Sequence, residues 1–224
     1  MDNIIHKLKA FTGKVIKTVD CFLDEYDNDK HDTHFDGWTD RFWRSNNIRK
    51  CHIKTIDKLE DKKLWLLHIN IFPHSRVDLP ILGCDIVAGP NKISGCFFDF
   101  SPIISESHPL IKQFAENTED LTWKKPRELP LWAQEIFSQH MIAAGSVKDE
   151  EVDQLCETAL RLIVIYLGYQ STGYHRVKID TTAALNKYCI NQKKNDKLHK
   201  SILAMGVSEE DKNRYVNNVL FEEI

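Results

Sequence analysis

One carboxylate, Asp85, lies inside an otherwise apolar, strand-like run, LPILGCDIVAGP, at residues 79–90. Because side chains alternate along a strand, Asp85 shares one face with Gly83 and Val87. Both faces of the run are apolar, so we expect the strand to be covered on both sides and the carboxyl group to be buried. Burial raises the pKa of a carboxyl group, and one that stays protonated near neutral pH can donate a proton. An aspartate that only bonds neighbouring backbone is the alternative.

Two histidines and a lysine lie just upstream, on further strand-like runs. The run LWLLHINIFP carries His68, and RKCHIK places His52 and Lys54 together on one face. Ionisable residues on three neighbouring strands predict a buried polar site on one face of a sheet, where protons can be held and transferred. Histidines that are simply hydrogen-bonded core residues are an alternative. A metal site built from His52, His68 and Asp85 also stays open, although the sequence has no His-Glu-x-x-His spacing.

A second acid, Asp196, lies on a helix predicted over residues 182–203. Gln192, Asn195 and Asp196 stand at i, i+3 and i+4, so they share one helical face. A neighbouring cationic stripe contains Lys193, Lys197 and Lys200. A solvated helix face is the plain interpretation. The functional interpretation is a ligand-facing polar stripe beside a cationic strip that could meet a carboxylate ligand or an acidic protein partner.

The composition bounds the class of protein. The chain has 224 residues, 42% hydrophobic and 28% charged, which is typical of one soluble globular domain over residues 1–224. A net charge of −3 argues against a nucleic-acid binder. Without an apolar run of about 18 residues or a charged signal-peptide start, we expect no membrane segment and a cytoplasmic location. The six cysteines form no Cys-x-x-Cys pair, and the usual dinucleotide, phosphate-loop and Gly-x-Ser-x-Gly fingerprints are missing from the sequence.

The order of predicted elements gives the fold class. Apolar residues spaced by three and four within residues 1–26 predict an amphipathic helix. Strand-like runs follow over residues 47–101, and their short polar links favour antiparallel neighbours. Helical spacing then predicts helices over residues 108–117, 131–142 and 149–169, another from residue 180, and a last one that opens at Ser208. We therefore predict an α/β fold, a three-layer α/β/α sandwich with a central antiparallel sheet flanked by helices.

Several separated segments, in the same order, resemble one enzyme family. Beyond residues 79–90 they include FDFSP, RELP followed by Trp132 and EIFS, KNDK after Tyr188, and the closing VLF after Arg214 and Tyr215. They run from the predicted strands to the C-terminus. The chain thus resembles the ferredoxin-dependent bilin reductases, most closely the members that form phycocyanobilin.

The resemblance implies a substrate, an electron donor and a set of site residues. It implies that biliverdin IXα binds between the sheet and the C-terminal helices of a monomer, with no bound cofactor and no metal. Reduced ferredoxin supplies electrons singly, bilin radicals form, and buried side chains supply protons. Asp85 corresponds to the family's central proton-donating aspartate, His68 to the histidine beside it, and His52 to the histidine that bonds the terminal lactam region. Asp196 corresponds to the helix-borne acid that faces the substrate from the opposite side. The pocket rim and propionate contacts correspond to Ser101, Gln192, Asn195 and Lys197.

Lys54 departs from the family pattern. Phycocyanobilin-forming members carry here a glutamate that takes part in protonating the D-ring vinyl group. A charged lysine has no carboxyl group and is a far weaker acid than a protonated glutamate, so we expect reduction of that vinyl group to fail. Reduction at the C15 methine bridge and then at the A-ring diene needs Asp85 and Asp196, which are present. We therefore hypothesise that the chain makes phycoerythrobilin through 15,16-dihydrobiliverdin, as some divergent, including phage-borne, members do.

A second departure lies at residues 139–145, QHMIAAG. Relatives carry an arginine near here that grips a propionate, and this segment has none. Lys148, Arg49 or Lys197 could take its place, or the propionate could be held more loosely.

Three other functions stay open at this point. The chain could make phycocyanobilin, with Lys54 tolerated through another proton route. It could bind a bilin without reducing it, although binding alone does not need two acids on opposite sides of a pocket. It could also be a metal-dependent hydrolase that uses His52, His68 and Asp85.

Overall fold

The computed structural model of the chain describes residues 3–31, 34–173 and 175–224. At its centre is a seven-stranded sheet in which each strand pairs antiparallel with its neighbours in chain order. The strands are β1 (Asp24–Glu25), β2 (Trp38–Arg44), β3 (Ile48–Lys58), β4 (Leu64–Pro73), β5 (Ile81–Gly89), β6 (Lys92–Ser101) and β7 (Ile142–Val147). Short links join consecutive strands from β3 to β6, and their antiparallel pairing confirms the predicted order.

Helices cover the two faces of this sheet. In the described part of the chain they are α1 (Asn3–Asp20), α2 (Pro109–Thr118), α3 (Leu131–Gln134), α4 (Asp149–Ser171), α5 (Thr182–Gln192), α6 (Asp196–Ala204) and α7 (Glu209–Tyr215), followed by a π-helical turn (Val216–Leu220). None of the described helices is both long and apolar enough to cross a bilayer.

Two apolar layers lie on opposite sides of the sheet. On one side α1, α2 and α4 pack over strand residues that include Leu82 and Ile86. On the other side α5, α6, α7 and the π-helical turn pack over Phe72 and Ile81, with Tyr188 in the interface. The predicted three-layer α/β/α arrangement is therefore confirmed.

The helices predicted from residues 108 and 208 begin where their caps place them. The His108 imidazole accepts a hydrogen bond from Leu110 N (3.1 Å), and the Ser208 hydroxyl accepts one from Asp211 N (3.1 Å). Such side chains satisfy backbone N–H groups that the first turn of a helix leaves unpaired. The helix predicted over residues 149–169 is also confirmed, as α4.

Residues 131–142 do not form the helix that was predicted there. The helix α3 ends at Gln134, and Ile142 begins the edge strand β7, where it lies opposite Phe98 of β6. Residues 135–141 form turns between these two elements, and the backbone N–H of Ser138 donates to the buried Asp99 (3.0 Å), so tertiary contacts override the helical apolar spacing of this segment.

Two further boundaries differ from the prediction. The first helix ends at Asp20 and does not continue to residue 26, because Asp24 and Glu25 pair with β2. The strand β2 itself lies before residue 47, where the sheet was predicted to start. The helix predicted over residues 182–203 is broken between Gln192 and Asp196. Asn195 caps a new helix there by accepting from Lys197 N (3.2 Å), a role in which asparagine is favoured.

Candidate active site

Five side chains form a row across the sheet on one face. The register places Asp40 opposite Lys54, Lys54 opposite His68, His68 opposite Asp85, and Asp85 opposite Phe97. Directly opposite residues have Cβ atoms about 5 Å apart, so neighbours in the row are within reach of one another. Antiparallel pairing thus brings together four ionisable groups that are spread along the chain between residues 40 and 85.

His68 and Asp85 form a hydrogen-bonded pair at the centre of this row. His68 Nδ1 lies 2.6 Å from Asp85 Oδ1, and the Asn70 amide nitrogen lies 3.0 Å from His68 Nε2. When the Asn70 amide donates, Nε2 accepts, so the proton on Nδ1 is directed at Asp85. The Phe221 ring meets the His68 ring edge-on, with centroids 6.2 Å apart. The pair can therefore pass a proton between an imidazole and a carboxylate.

Asp85 is more exposed than the sequence predicted. Its side chain is 43% exposed, whereas Leu82 and Ile86 on the opposite face are fully buried. The predicted full burial is wrong because the C-terminal helices pack onto Phe72 and Ile81 on this face and leave the carboxylate uncovered. A ligand lying on the sheet can therefore contact Asp85 directly.

His52 pairs with an acid that sequence reasoning missed. His52 is fully buried, and its Nε2 lies 2.6 Å from Asp40 Oδ1. The Tyr215 hydroxyl donates to the same oxygen (2.5 Å), and His31 Nε2 lies 3.4 Å from Oδ2. Burial alone would raise the pKa of Asp40, but the hydrogen bonds of His31 and His52 outweigh it and hold the pKa well below its usual range. The missed signal was period-two alternation of Trp38, Asp40 and Phe42, upstream of residue 47.

Lys54 is a buried cation in an aromatic surround. Lys54 is 2% exposed, and its Nζ lies 4.2 Å from the ring centroid of Trp38 and 4.9 Å from that of Tyr215. Burial lowers the pKa of Lys54 to about 8, while the charges of Asp40 and Asp85 oppose that change. Ring faces attract an ammonium group, so the site is built for a positive charge.

The helical residues of the candidate site are arranged differently from the prediction. Gln192 is buried and its amide donates to the Tyr188 hydroxyl (2.9 Å). That hydroxyl lies close over the sheet, because a Cβ placed on Gly83 would be 3.1 Å from it. Asp196 is exposed in the first turn of α6, and within the described residues its side chain makes no hydrogen bond or ion pair. The predicted shared face is wrong, since the break before α6 separates Gln192 from Asp196.

Ser101 belongs to a buried cluster on β6. It is fully buried and donates to Asp99 (2.7 Å), which also accepts from the Ser138 hydroxyl (2.5 Å) and backbone N–H (3.0 Å). Burial raises the pKa of Asp99 to about 6, against the hydrogen bonds of Ser138 and Ser101. The register places Asp99 opposite Gly83, so this cluster lies on the same face of the sheet as Asp85.

A basic groove of about 510 Å³ opens between α6 and the ends of two hairpins, β3–β4 and β5–β6. Its lining includes Lys62, Lys63 and Lys92, together with Leu64, which shares the face of His68 on β4. The three cations that the sequence offers as partners of a propionate do not line this groove. Lys148 precedes α4, Arg49 lies 3.4 Å from Glu222 Oε2, and Lys197 is exposed on α6.

The structure does not support the alternative of a metal site built from His52, His68 and Asp85. Across residues 3–31, 34–173 and 175–224, no group of three His, Cys, Asp or Glu side chains is arranged to hold a metal ion. His52 faces Asp40 and His68 faces Asp85, so the predicted trio is divided between two hydrogen-bonded pairs.

Comparison with known proteins agrees with this fold. The chain is 30% identical over 184 residues to a phycocyanobilin:ferredoxin oxidoreductase of Prochlorococcus marinus, covering 80% of this chain and 73% of that protein. It is 32% identical over 193 residues to the protein of the same name from Gloeobacter violaceus, covering 81% and 72%.

Two solved structures share the fold. PcyX superposes with a TM-score of 0.69 at 22% identity, over 97% of this chain and 99% of its own. Tomato phytochromobilin synthase, solved in complex with biliverdin, superposes with a TM-score of 0.76 at 14% identity, over 95% and 82%. A family model described as ferredoxin-dependent bilin reductase matches residues 2–222. The chain therefore belongs to the ferredoxin-dependent bilin reductases, oxidoreductases that take electrons from ferredoxin as an external donor.

Proposed function

We propose that this chain reduces biliverdin IXα to phycoerythrobilin through 15,16-dihydrobiliverdin, in two successive two-electron steps. Reduced ferredoxin supplies four electrons one at a time, and four protons accompany them. The protein acts as a single domain over residues 1–224 and as a monomer. Membership of the bilin reductase family supports ferredoxin-dependent bilin chemistry, and the names of the relatives and of the tomato complex support biliverdin as the bilin.

The position of Lys54 carries the choice of product. Lys54 lies in the cross-strand row between Asp40 and His68. The resemblance implies that phycocyanobilin-forming members carry a glutamate at this position. If Lys54 lost its proton, the carboxylates of Asp40 and Asp85 would lose the positive charge that lies between them in the row. With a pKa of about 8, Lys54 is mainly protonated near pH 7 and is a weaker acid than a protonated glutamate, so the D-ring vinyl group is not protonated from this side.

The remaining acids supply the protons for the other two reductions. Asp85 is accessible on the sheet face and is hydrogen-bonded to His68, so it can donate to the substrate and be reprotonated through the imidazole. Asp196 donates at the A-ring from the opposite, helical side. The pocket rim and the propionates are contacted by Ser101, Gln192, Asn195 and Lys197, and the Ser101 hydroxyl acts together with its partner Asp99.

An anaerobic assay tests this function. Purified protein receives biliverdin IXα, ferredoxin and a ferredoxin-reducing system, and the products are separated by chromatography against authentic bilins. Phycoerythrobilin is the expected product, with 15,16-dihydrobiliverdin appearing first. Phycocyanobilin would refute the consequence drawn from Lys54, and bound but unreduced biliverdin would identify the chain as a bilin carrier.

A further inference from the structure

Arg127 reaches across the edge of the sheet on the face that carries Asp85. Its backbone N–H donates to Ala143 O (2.9 Å), so residues 125–127 extend the sheet beyond β7. From there the side chain runs inwards, and Arg127 Cζ lies 5.7 Å from the ring centroid of Phe97. Phe97 lies directly opposite Asp85. The guanidinium group therefore lies over β6, on the same face as the candidate site.

Two facing glycines leave the space through which this side chain passes. Gly145 of β7 lies directly opposite Gly95 of β6. A Cβ placed on Gly145 would be 2.6 Å from Arg127 Nε, and one placed on Gly95 would be 3.7 Å from Arg127 Cζ. A separation of 2.6 Å is far below van der Waals contact. The path of Arg127 thus requires a glycine at position 145.

The guanidinium group has no carboxylate partner within the described residues. Its Nη2 donates to Ser94 O (2.5 Å), whereas Nε and Nη1 donate no hydrogen bond to any part of the chain that the structure describes. Arg127 is exposed, and Ser94 also lines the basic groove, so the group lies beside space that a ligand can enter. The contact with Ser94 holds the guanidinium group in place and leaves its remaining N–H groups free to donate.

The register sets the distance between this cation and Asp85. Gly95, over which the guanidinium group lies, is two residues from Phe97, the residue opposite Asp85. Diagonal neighbours of this kind are about 7 to 8 Å apart. A ligand that contacts the exposed carboxylate of Asp85 therefore has a positive charge about this far away on the same face of the sheet.

We propose that Arg127 binds a carboxylate of the substrate and that Gly145 is the residue that lets it do so. A guanidinium group can donate two parallel hydrogen bonds to a carboxylate, and such charge-assisted bonds are strong. The identity of the carboxylate, a propionate arm of biliverdin, rests on the proposed function. The position of Arg127 and its free N–H groups rest on the contacts alone. None of the three cations that the sequence offers as partners of a propionate comes from this segment.

Equilibrium binding without ferredoxin tests this role with two probes, biliverdin IXα and its dimethyl ester, which keeps the tetrapyrrole but has no carboxylate. Arg127→Gln is expected to lower the affinity for biliverdin about tenfold, the usual worth of one hydrogen bond to a charged group. The same variant should bind the ester as tightly as the wild type does. The matched control Arg161→Gln changes an exposed arginine of α4, on the other side of the sheet, and should leave both affinities unchanged.

The difference between the two probes separates carboxylate binding from a structural role. Equal losses of affinity for biliverdin and for the ester in Arg127→Gln would show that Arg127 only supports the fold. Unchanged affinity for both would show that it meets no carboxylate. Either result would overturn the proposal.

Gly145→Val gives a second variant, in which the arginine is retained, and it also serves if Arg127→Gln does not fold. The valine side chain takes the space of the guanidinium group and displaces it, so the loss of affinity should again be confined to biliverdin. Wild-type affinity for biliverdin in Gly145→Val would contradict the role of this glycine. A wild-type enzyme that forms phycocyanobilin would refute the proposed product and leave these binding differences unchanged.

Discussion

Replacing Lys54 with glutamate should change the product of this enzyme. Lys54→Glu puts a carboxyl group into the cross-strand row opposite Asp40. The hydrogen bonds of His31 and His52 keep Asp40 ionised, so the new carboxyl group faces a fixed negative charge.

The size of that repulsion follows from the register of β2 and β3. Directly opposite side chains are about 5 Å apart, and two like charges at that distance repel by about 3 kcal/mol at an effective dielectric constant of about 20. An energy of about 3 kcal/mol favours the protonated form of the glutamate roughly a hundredfold. Burial and the ring faces of Trp38 and Tyr215 act in the same direction. The variant should therefore hold a protonated acid where the wild type holds a cation, and so protonate the D-ring vinyl group.

The assay is anaerobic turnover of biliverdin IXα with reduced ferredoxin, followed by chromatography. We expect phycoerythrobilin from the wild type and at least partial conversion to phycocyanobilin in Lys54→Glu. The matched control is Lys54→Gln, which has the same shape as the glutamate but no acidic proton, and which should form no phycocyanobilin. Phycocyanobilin from both the wild type and Lys54→Glu, or from Lys54→Gln, would refute the reasoning.

Three further predictions concern single residues. Asp85→Asn should stop turnover or accumulate radical species visible by electron paramagnetic resonance, because an amide cannot donate the required proton; normal turnover would remove Asp85 from its role. Asp196→Asn should leave 15,16-dihydrobiliverdin as the end product, and complete conversion would contradict its assignment to the A-ring. Burial lowers the pKa of Lys50, whose ammonium group donates to Val219 O (2.6 Å), to about 7. The unfolded chain therefore binds more protons than the folded protein above pH 7, and this residue alone should raise the free energy of unfolding by about 2 kcal/mol from pH 7 to 9. Urea unfolding of Lys50→Met should lack that rise, and an equal rise in both proteins would contradict the interpretation.

Sequence periodicity was sufficient for the middle of the sheet. The runs around His52, His68 and Asp85 alternate at period two and are joined by short links, so strand identity, antiparallel order and the shared face could all be predicted. It failed where a segment takes its structure from a distant partner. Residues 142–147 become a strand because β6 offers an unpaired edge, and β1 exists only because β2 does.

The candidate site divides in the same way. By itself, the sequence determined which chemistry-bearing residues the strands would carry, since an aspartate, two histidines and a lysine within apolar alternation mark a polar site on a sheet face. Only the tertiary structure decided their pairing and their charge. Asp40 meets His52, Lys54 and Tyr215 through the register of β2 and the packing of α7, which are contacts that no local pattern encodes. Burial and electrostatic interactions depend on distances between elements far apart in the chain, so the exposure of Asp85 and the ionisation of Asp40 follow from the assembled fold.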